Sequence, residues 1–178
     1  MEKKAVIIIN GKSGVGKDSL IEIVSREFRV RNVSSVDVVK ESAMVLGWDG
    51  VKDGRGRRLL IDLKNAAVRY GDLPTQHMVD AYKDFVKSDD EFMFIHIREI
   101  PEIKKLVKHI PCKTLLVTRE MPDATDNAVD NAKSARVSNY KYDYKFANDK
   151  PLEESGKEFI MVITSTGFFS STASIKRV

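Results

Sequence analysis

The chain has 178 residues, 42% hydrophobic and 31% charged, with 10 Gly and 5 Pro; this is the make-up of one ordinary globular domain and excludes disorder, collagen and coiled coil. Thirty Lys and Arg against 26 Asp and Glu leave a net charge of +4, an excess that suits a small phosphate-bearing ligand and does not indicate a nucleic-acid face. The single Cys112 excludes a disulfide framework and a cysteine-based zinc site, and points to a reducing, cytoplasmic setting.

The chain opens with the apolar run Ala5–Ile9, too short for a signal peptide. No stretch approaches the roughly 20 apolar residues of a membrane helix, so no membrane partner is expected. Short, β-branched and continuously apolar, the run reads as a strand buried on both faces. Gly11, Gly14 and Gly16 then mark a turn, and Leu20, Ile21, Val24 and Phe28 predict a helix from Lys17 to about Arg29. A second extended segment, Val30 to Val36, precedes a helix over about 37–46 that Asp37 is placed to cap and Gly47 to end. The segment GWDGVKDGRG carries four glycines and reads as a loop.

Helices are expected over Arg57–Arg69, with Leu59, Leu60, Leu63, Ala66 and Ala67 on one face, and over Gln76–Lys87. Together they are more helix than a simple crossover needs, and such an insert, at about 47–88, commonly holds a second substrate. Trp48, Tyr70 and Tyr82 lie in or beside it, where an aromatic either stacks on a base or fills the small core between helices, core filling being the favoured reading. Phe92–Ile97 reads as a third strand, Glu99–His109 as a helix with Pro101 in its first turn, and Thr114–Val117 as a fourth strand. Residues 119–139 are polar and loop-like. Tyr142–Ala147 is a fifth strand. The stretch after Pro151 fits a helix, although FIMVIT also suits a strand. Strands alternating with helices imply a single α/β domain over 1–178, a three-layer α/β/α sandwich with a five-stranded parallel sheet.

Residues 11–18, GKSGVGKD, match the phosphate-binding pattern G-x-x-x-x-G-K-[ST] except at the last position. Glycines let the backbone N–H groups of Gly11, Lys12, Ser13, Gly14, Val15, Gly16, Lys17 and Asp18 line one concavity, where they and the helix N-terminus hold phosphate oxygens. Lys17 adds positive charge at the β and γ phosphates. Asp18 stands where Ser or Thr normally meets magnesium, and its carboxylate is a candidate to hold the metal directly or through water. Ser19 offers a hydroxyl one residue on. Arg57 and Arg58, at the start of the inserted helix, are within reach of an acceptor phosphate.

The GKD ending resembles that of the deoxynucleoside monophosphate kinase group, within the P-loop nucleoside and nucleotide kinase superfamily; animal-type phosphomevalonate kinases share it. SSVDVVKE, at 34–41, resembles the segment after strand two of that group, which assigns Asp37 and Lys40 to the mouth of the acceptor site. FIHIREIPEI resembles the strand-three segment, which makes Arg98 the acceptor-phosphate arginine, while His96 replaces the usual acid. YKYDYKFANDKPLEE resembles the last strand and turn, whose backbone near Asn148–Pro151 would border adenine. Residues 119–139 resemble a lid, with Arg119 and Arg136 closing over ATP.

The resemblance implies a P-loop nucleoside triphosphate hydrolase type of fold, with ATP and Mg²⁺ as cofactors. It implies phosphoryl transfer to a nucleoside or deoxynucleoside monophosphate. A phosphomevalonate-like acceptor and a nucleotide-binding regulatory module without efficient turnover are the alternatives. His96 cannot replace a carboxylate's charge when neutral, and Asp18 on the opposite side would compensate.

Overall fold

The apolar run that opens the chain becomes the middle of the sheet. The computed structural model describes residues 4–120, 139–165 and 167–169. β1 (Ala5–Asn10) lies between β3 (Phe92–His96) and β4 (Lys113–Thr118), with β2 (Val30–Ser34) and β5 (Tyr144–Ala147) outside them. All four pairings are parallel, in the order β2-β3-β1-β4-β5.

Both faces of the sheet are covered, which is why β1 reads as unbroken apolar sequence and does not alternate. On one face Ile7, Ile9, Phe92, Phe94 and Val117 meet Leu20 and Val24 of α1 (Lys17–Ser25). Phe159 and Ile163 of α6 (Leu152–Thr164) complete that core. On the other face Val6, Ile8, Met93 and Ile95 meet Met78 and Phe85 of α4 (Leu73–Lys87) and Ile103 and Leu106 of α5 (Ile100–Leu106). The architecture is therefore three-layer α/β/α, as expected.

Several boundaries differ from expectation for identifiable reasons. α1 ends at Ser25 because the chain tightens, with Arg26 N–H bonding to Ile23 O and Glu27 N–H to Val24 O. Phe28 keeps the apolar period beyond the helix by packing its ring edge-on to Phe92, 5.2 Å between centroids. β2 stops at Ser34, whose N–H donates to Asp37 Oδ2 at 2.7 Å. Asp37 thus closes the turn before α2 (Asp37–Val45) and does not cap that helix, which has no side-chain cap. FIMVIT is helical, since Phe159 and Ile163, four apart, share one buried face.

α3 (Gly54–Gly71) begins earlier than its apolar pattern because the Asp53 carboxylate accepts the Gly56 N–H at 2.7 Å. Only Gly56 of α3 is buried, and Leu59, Leu60 and Leu63 are half-buried. α4 belongs to the helix layer on the sheet, so of residues 47–88 only α3 and its leading loop stand outside the sandwich. Lys64 on α3 reaches Glu102 on α5 at 2.7 Å. The aromatics of this region do not share a core. Tyr82 packs on the second apolar cluster, Trp48 donates Nε1–H to Val51 O at 3.0 Å, and Tyr70, at the end of α3, is 85% exposed. No helix among the described residues is long and apolar enough to cross a membrane.

Candidate active site

The phosphate-loop sequence occupies the connection from β1 to α1, at the carboxyl edge of the sheet where ligands of open α/β folds gather. Two of its glycines are required by geometry. Gly16 has φ +88, and a Cβ there would lie 2.5 Å from Asn148 Nδ2; a Cβ on Gly11, at φ +151, would strike the Val117 carbonyl oxygen of β4. Val15 is the loop's apolar anchor, 1% exposed in the first core. Lys12, Ser13 and Gly14 are exposed.

Two asparagines fasten the loop from behind. Asn148, 2% exposed just past β5, donates Nδ2–H to Val15 O at 2.7 Å, while its own N–H donates to Thr118 O at 2.8 Å. Asn10, 1% exposed at the end of β1, accepts the Gly11 N–H at 2.8 Å and donates to the Tyr142 hydroxyl at 2.9 Å and to Arg98 O at 3.4 Å. Neither was singled out for this role in the sequence. For Asn10 a signal existed, a polar residue closing an apolar strand directly before a glycine. For Asn148 there was none, because its partner is 133 residues away.

Lys17 folds its ammonium back over the loop, donating to Gly11 O at 2.9 Å and Lys12 O at 2.8 Å. Burial and, secondarily, the Arg98 guanidinium lower its pKa to about 8, against a smaller raising influence of Asp18. The ammonium is thus held only by neutral carbonyl partners.

Asp18 occupies the first turn of α1 with its side chain 91% exposed, and Ser19 beside it is half-buried. Across the loop mouth, 3.8 Å from Asp18 Oδ1, lies Nε2 of His96, the last residue of β3, opposite Ile9. This nitrogen is buried and makes no hydrogen bond. Burial chiefly lowers the His96 pKa, with Lys17 and Arg98 acting the same way and Asp18 and Asp37 opposing, so the ring is neutral at pH 7.

The other expected residues are placed as follows. Arg98, exposed two residues past β3, acts electrostatically on both Lys17 and His96 and so belongs to this cluster. Asp37 acts on His96 and pairs with Lys40 at 3.4 Å, at the end of β2. Arg57 is exposed on the first turns of α3, beside an open groove lined by Gly54, Arg55, Arg58, Leu59 and Asp62. Arg119 is exposed directly after β4, and Glu120 N–H donates to Asp149 Oδ1 at 2.6 Å, tying that strand end to the turn after β5. Arg136, and most of the segment 119–139, lie outside the described residues.

Among the described residues no group of three or more His, Cys, Asp and Glu side chains is arranged to hold a metal ion. The exposed Asp18 carboxylate and the unpartnered His96 Nε2, 3.8 Å apart, are donors of the kinds a divalent cation takes.

No protein-family model matches the chain, and no curated protein does. Solved structures do. A tunicamycin resistance protein from Deinococcus radiodurans, 10% identical, superposes with a TM-score of 0.59 over 91% of this chain and 96% of that one. A candidate kinase from Chloroflexus aurantiacus, also 10% identical, gives 0.52 over 93% and 98%. A shikimate kinase from Aquifex aeolicus, 13% identical, gives 0.47 over 89% and 95%. At such identities the likeness shown by the first two is one of fold alone, a parallel sheet covered by helices.

Proposed function

We propose that the chain is an ATP-dependent phosphotransferase whose acceptor is the phosphate of a nucleoside or deoxynucleoside monophosphate. The observation that carries this reading is the Gly11–Asp18 loop at the centre of the sheet edge, with the Lys17 ammonium folded over it and the end of β3 beside it. Loop amides and the α1 N-terminus hold the phosphates of ATP. Lys17 exchanges its two carbonyl partners for the β and γ phosphate oxygens, where a full charge opposing the moving phosphoryl group is worth more than two neutral contacts.

Asp18 would hold Mg²⁺ or another divalent cation arriving with ATP, and the cation would supply charge that neutralises the phosphates. Arg98 orients the acceptor phosphate beside Lys17. Asp37 and Lys40 flank that position, with Arg57 on α3 the outer contact. Arg119 and Arg136 are assigned to the ATP side. No general base is needed, because an acceptor phosphate is already ionised at pH 7, and Cys112, whose thiol burial pushes up to about 12, takes no part. The reducing cytoplasm suits that thiol.

ADP release with ATP and Mg²⁺ against nucleoside monophosphates, deoxynucleoside monophosphates and phosphomevalonate tests the reading. One strong nucleotide responder, lost in Lys17→Ala, is expected. Response to phosphomevalonate alone would move the acceptor to another phosphorylated metabolite. Silence across the panel with ATP still bound in calorimetry would replace the enzyme with a nucleotide-binding module.

A further inference from the structure

The His96 Nε2 is a buried nitrogen with no protein partner, and buried polar atoms are generally satisfied by protein, water or an ion. Its distance from Asp18 Oδ1, 3.8 Å, is beyond hydrogen-bonding range. The same distance is within the span of two donors sharing one cation, since two bonds of about 2.1 Å reach at most about 4.2 Å. The elements around the ring contribute Lys17 and Asp18 from the start of α1, Asp37 from α2 and Arg98 from beyond β3. With Lys40 paired to Asp37, two negative and three positive groups leave the mouth slightly positive, so a cation gains its hold only when a triphosphate adds charge. A neutral imidazole offers one bare nitrogen.

We propose that His96 is a direct nitrogen ligand, beside Asp18, of the divalent cation that accompanies the triphosphate, and that the site therefore favours Mn²⁺ or Co²⁺ over Mg²⁺. Imidazole binds the transition metals, whereas Mg²⁺ prefers an all-oxygen shell and keeps its waters. The proposal rests on nucleotide binding at the Gly11–Asp18 loop and refines the metal side of that site.

The test uses the full chain with AMP-PNP, a non-hydrolysable ATP analogue, and needs no turnover. AMP-PNP binding is first measured by calorimetry without metal. Mn²⁺ and Mg²⁺ are then titrated into the complex, and pulsed electron paramagnetic resonance is recorded on the Mn²⁺ complex of protein labelled with ¹⁵N-histidine. A ¹⁵N coupling of directly bound imidazole is expected, absent in His96→Gln. In His96→Asp, an all-oxygen set, the ratio of Mn²⁺ to Mg²⁺ affinity should fall by about tenfold, the lower end of what metal-site substitutions produce.

Bound Mn²⁺ without histidine coupling in the wild-type protein overturns the proposal while leaving the nucleotide site intact, and this arm does not depend on any variant folding. An unchanged metal preference in a His96→Asp protein that still binds AMP-PNP overturns it equally. Failure of the wild-type chain to bind AMP-PNP removes the nucleotide reading itself, and the proposal with it.

Discussion

The side-chain amide of Asn148 donates to the carbonyl of Val15 at 2.7 Å, so the turn after the last strand holds the shape of the loop after the first. In Asn148→Ala that buried carbonyl loses its partner, at a cost of about 1–3 kcal/mol. Chemical denaturation should register the loss. Because the loop amides are positioned through Val15, AMP-PNP affinity should fall as well, and unchanged affinity in a folded variant would mean that the loop holds its form alone.

On the proposed reading, Lys17 ties nucleotide binding to pH. In the free protein its pKa is about 8, and an adjacent polyanion raises it. Binding at pH 8 should therefore take up protons, whereas at pH 6 the amine is protonated before and after and uptake should vanish. Calorimetry in buffers of different ionisation enthalpy measures this, with Lys17→Ala as the control that loses the uptake. Affinity should weaken above about pH 8. The effect on the free fold has the opposite sense. The unfolded chain keeps this proton to about pH 10.5, so the buried ammonium burdens the fold below pH 8, and that burden fades as pH rises from 8 to 10.5.

Arg98 and Arg57 should separate kinetically. Arg98→Ala removes the guanidinium that acts on Lys17 and His96, and turnover should drop by about a hundredfold. Arg57→Ala, on the solvent side of α3, should raise the acceptor KM with kcat little changed. Equal losses of kcat in both would place Arg57 at the transferring group.

Gly156 lets α6 cross α1 closely. A Cβ there would lie 2.5 Å from Ile23 Cδ1 and 2.9 Å from its Cγ2. Although alanine is the better helix former, overpacking against a branched side chain outweighs that gain. Gly156→Ala should lower the melting temperature by about 2–4 °C, corresponding to about 1 kcal/mol for a chain of this size. AMP-PNP affinity should not change.

The central strands β1, β3 and β4 were legible because strands buried on both sides write their presence as nearly unbroken apolar runs. The phosphate loop was legible because its chemistry needs glycine at fixed spacing. What escaped was work done by polar residues across long sequence distances. Asp37 looked like a helix cap because it opens α2, yet a nearer N–H, that of Ser34, claims its carboxylate. Asn148 looked like backbone lining because nothing local announces that its amide serves Val15. His96 stood out as a histidine in place of an acid, while its facing of Asp18 follows from the register of β3 against β1 and needed the fold.

β1 lies far along the chain from its sheet partners, since Ala5 pairs with Phe92 and Ile7 with Lys113, both far downstream. Its two open edges and greasy faces therefore stay without native partners until most of the chain exists, and closure of such distant contacts is slow. The 11–18 loop takes its shape later still, since it draws on Asn148. A truncated chain that lacks β3 and β4 exposes a short aggregation-prone strand, so completion of the sheet is what first protects this segment.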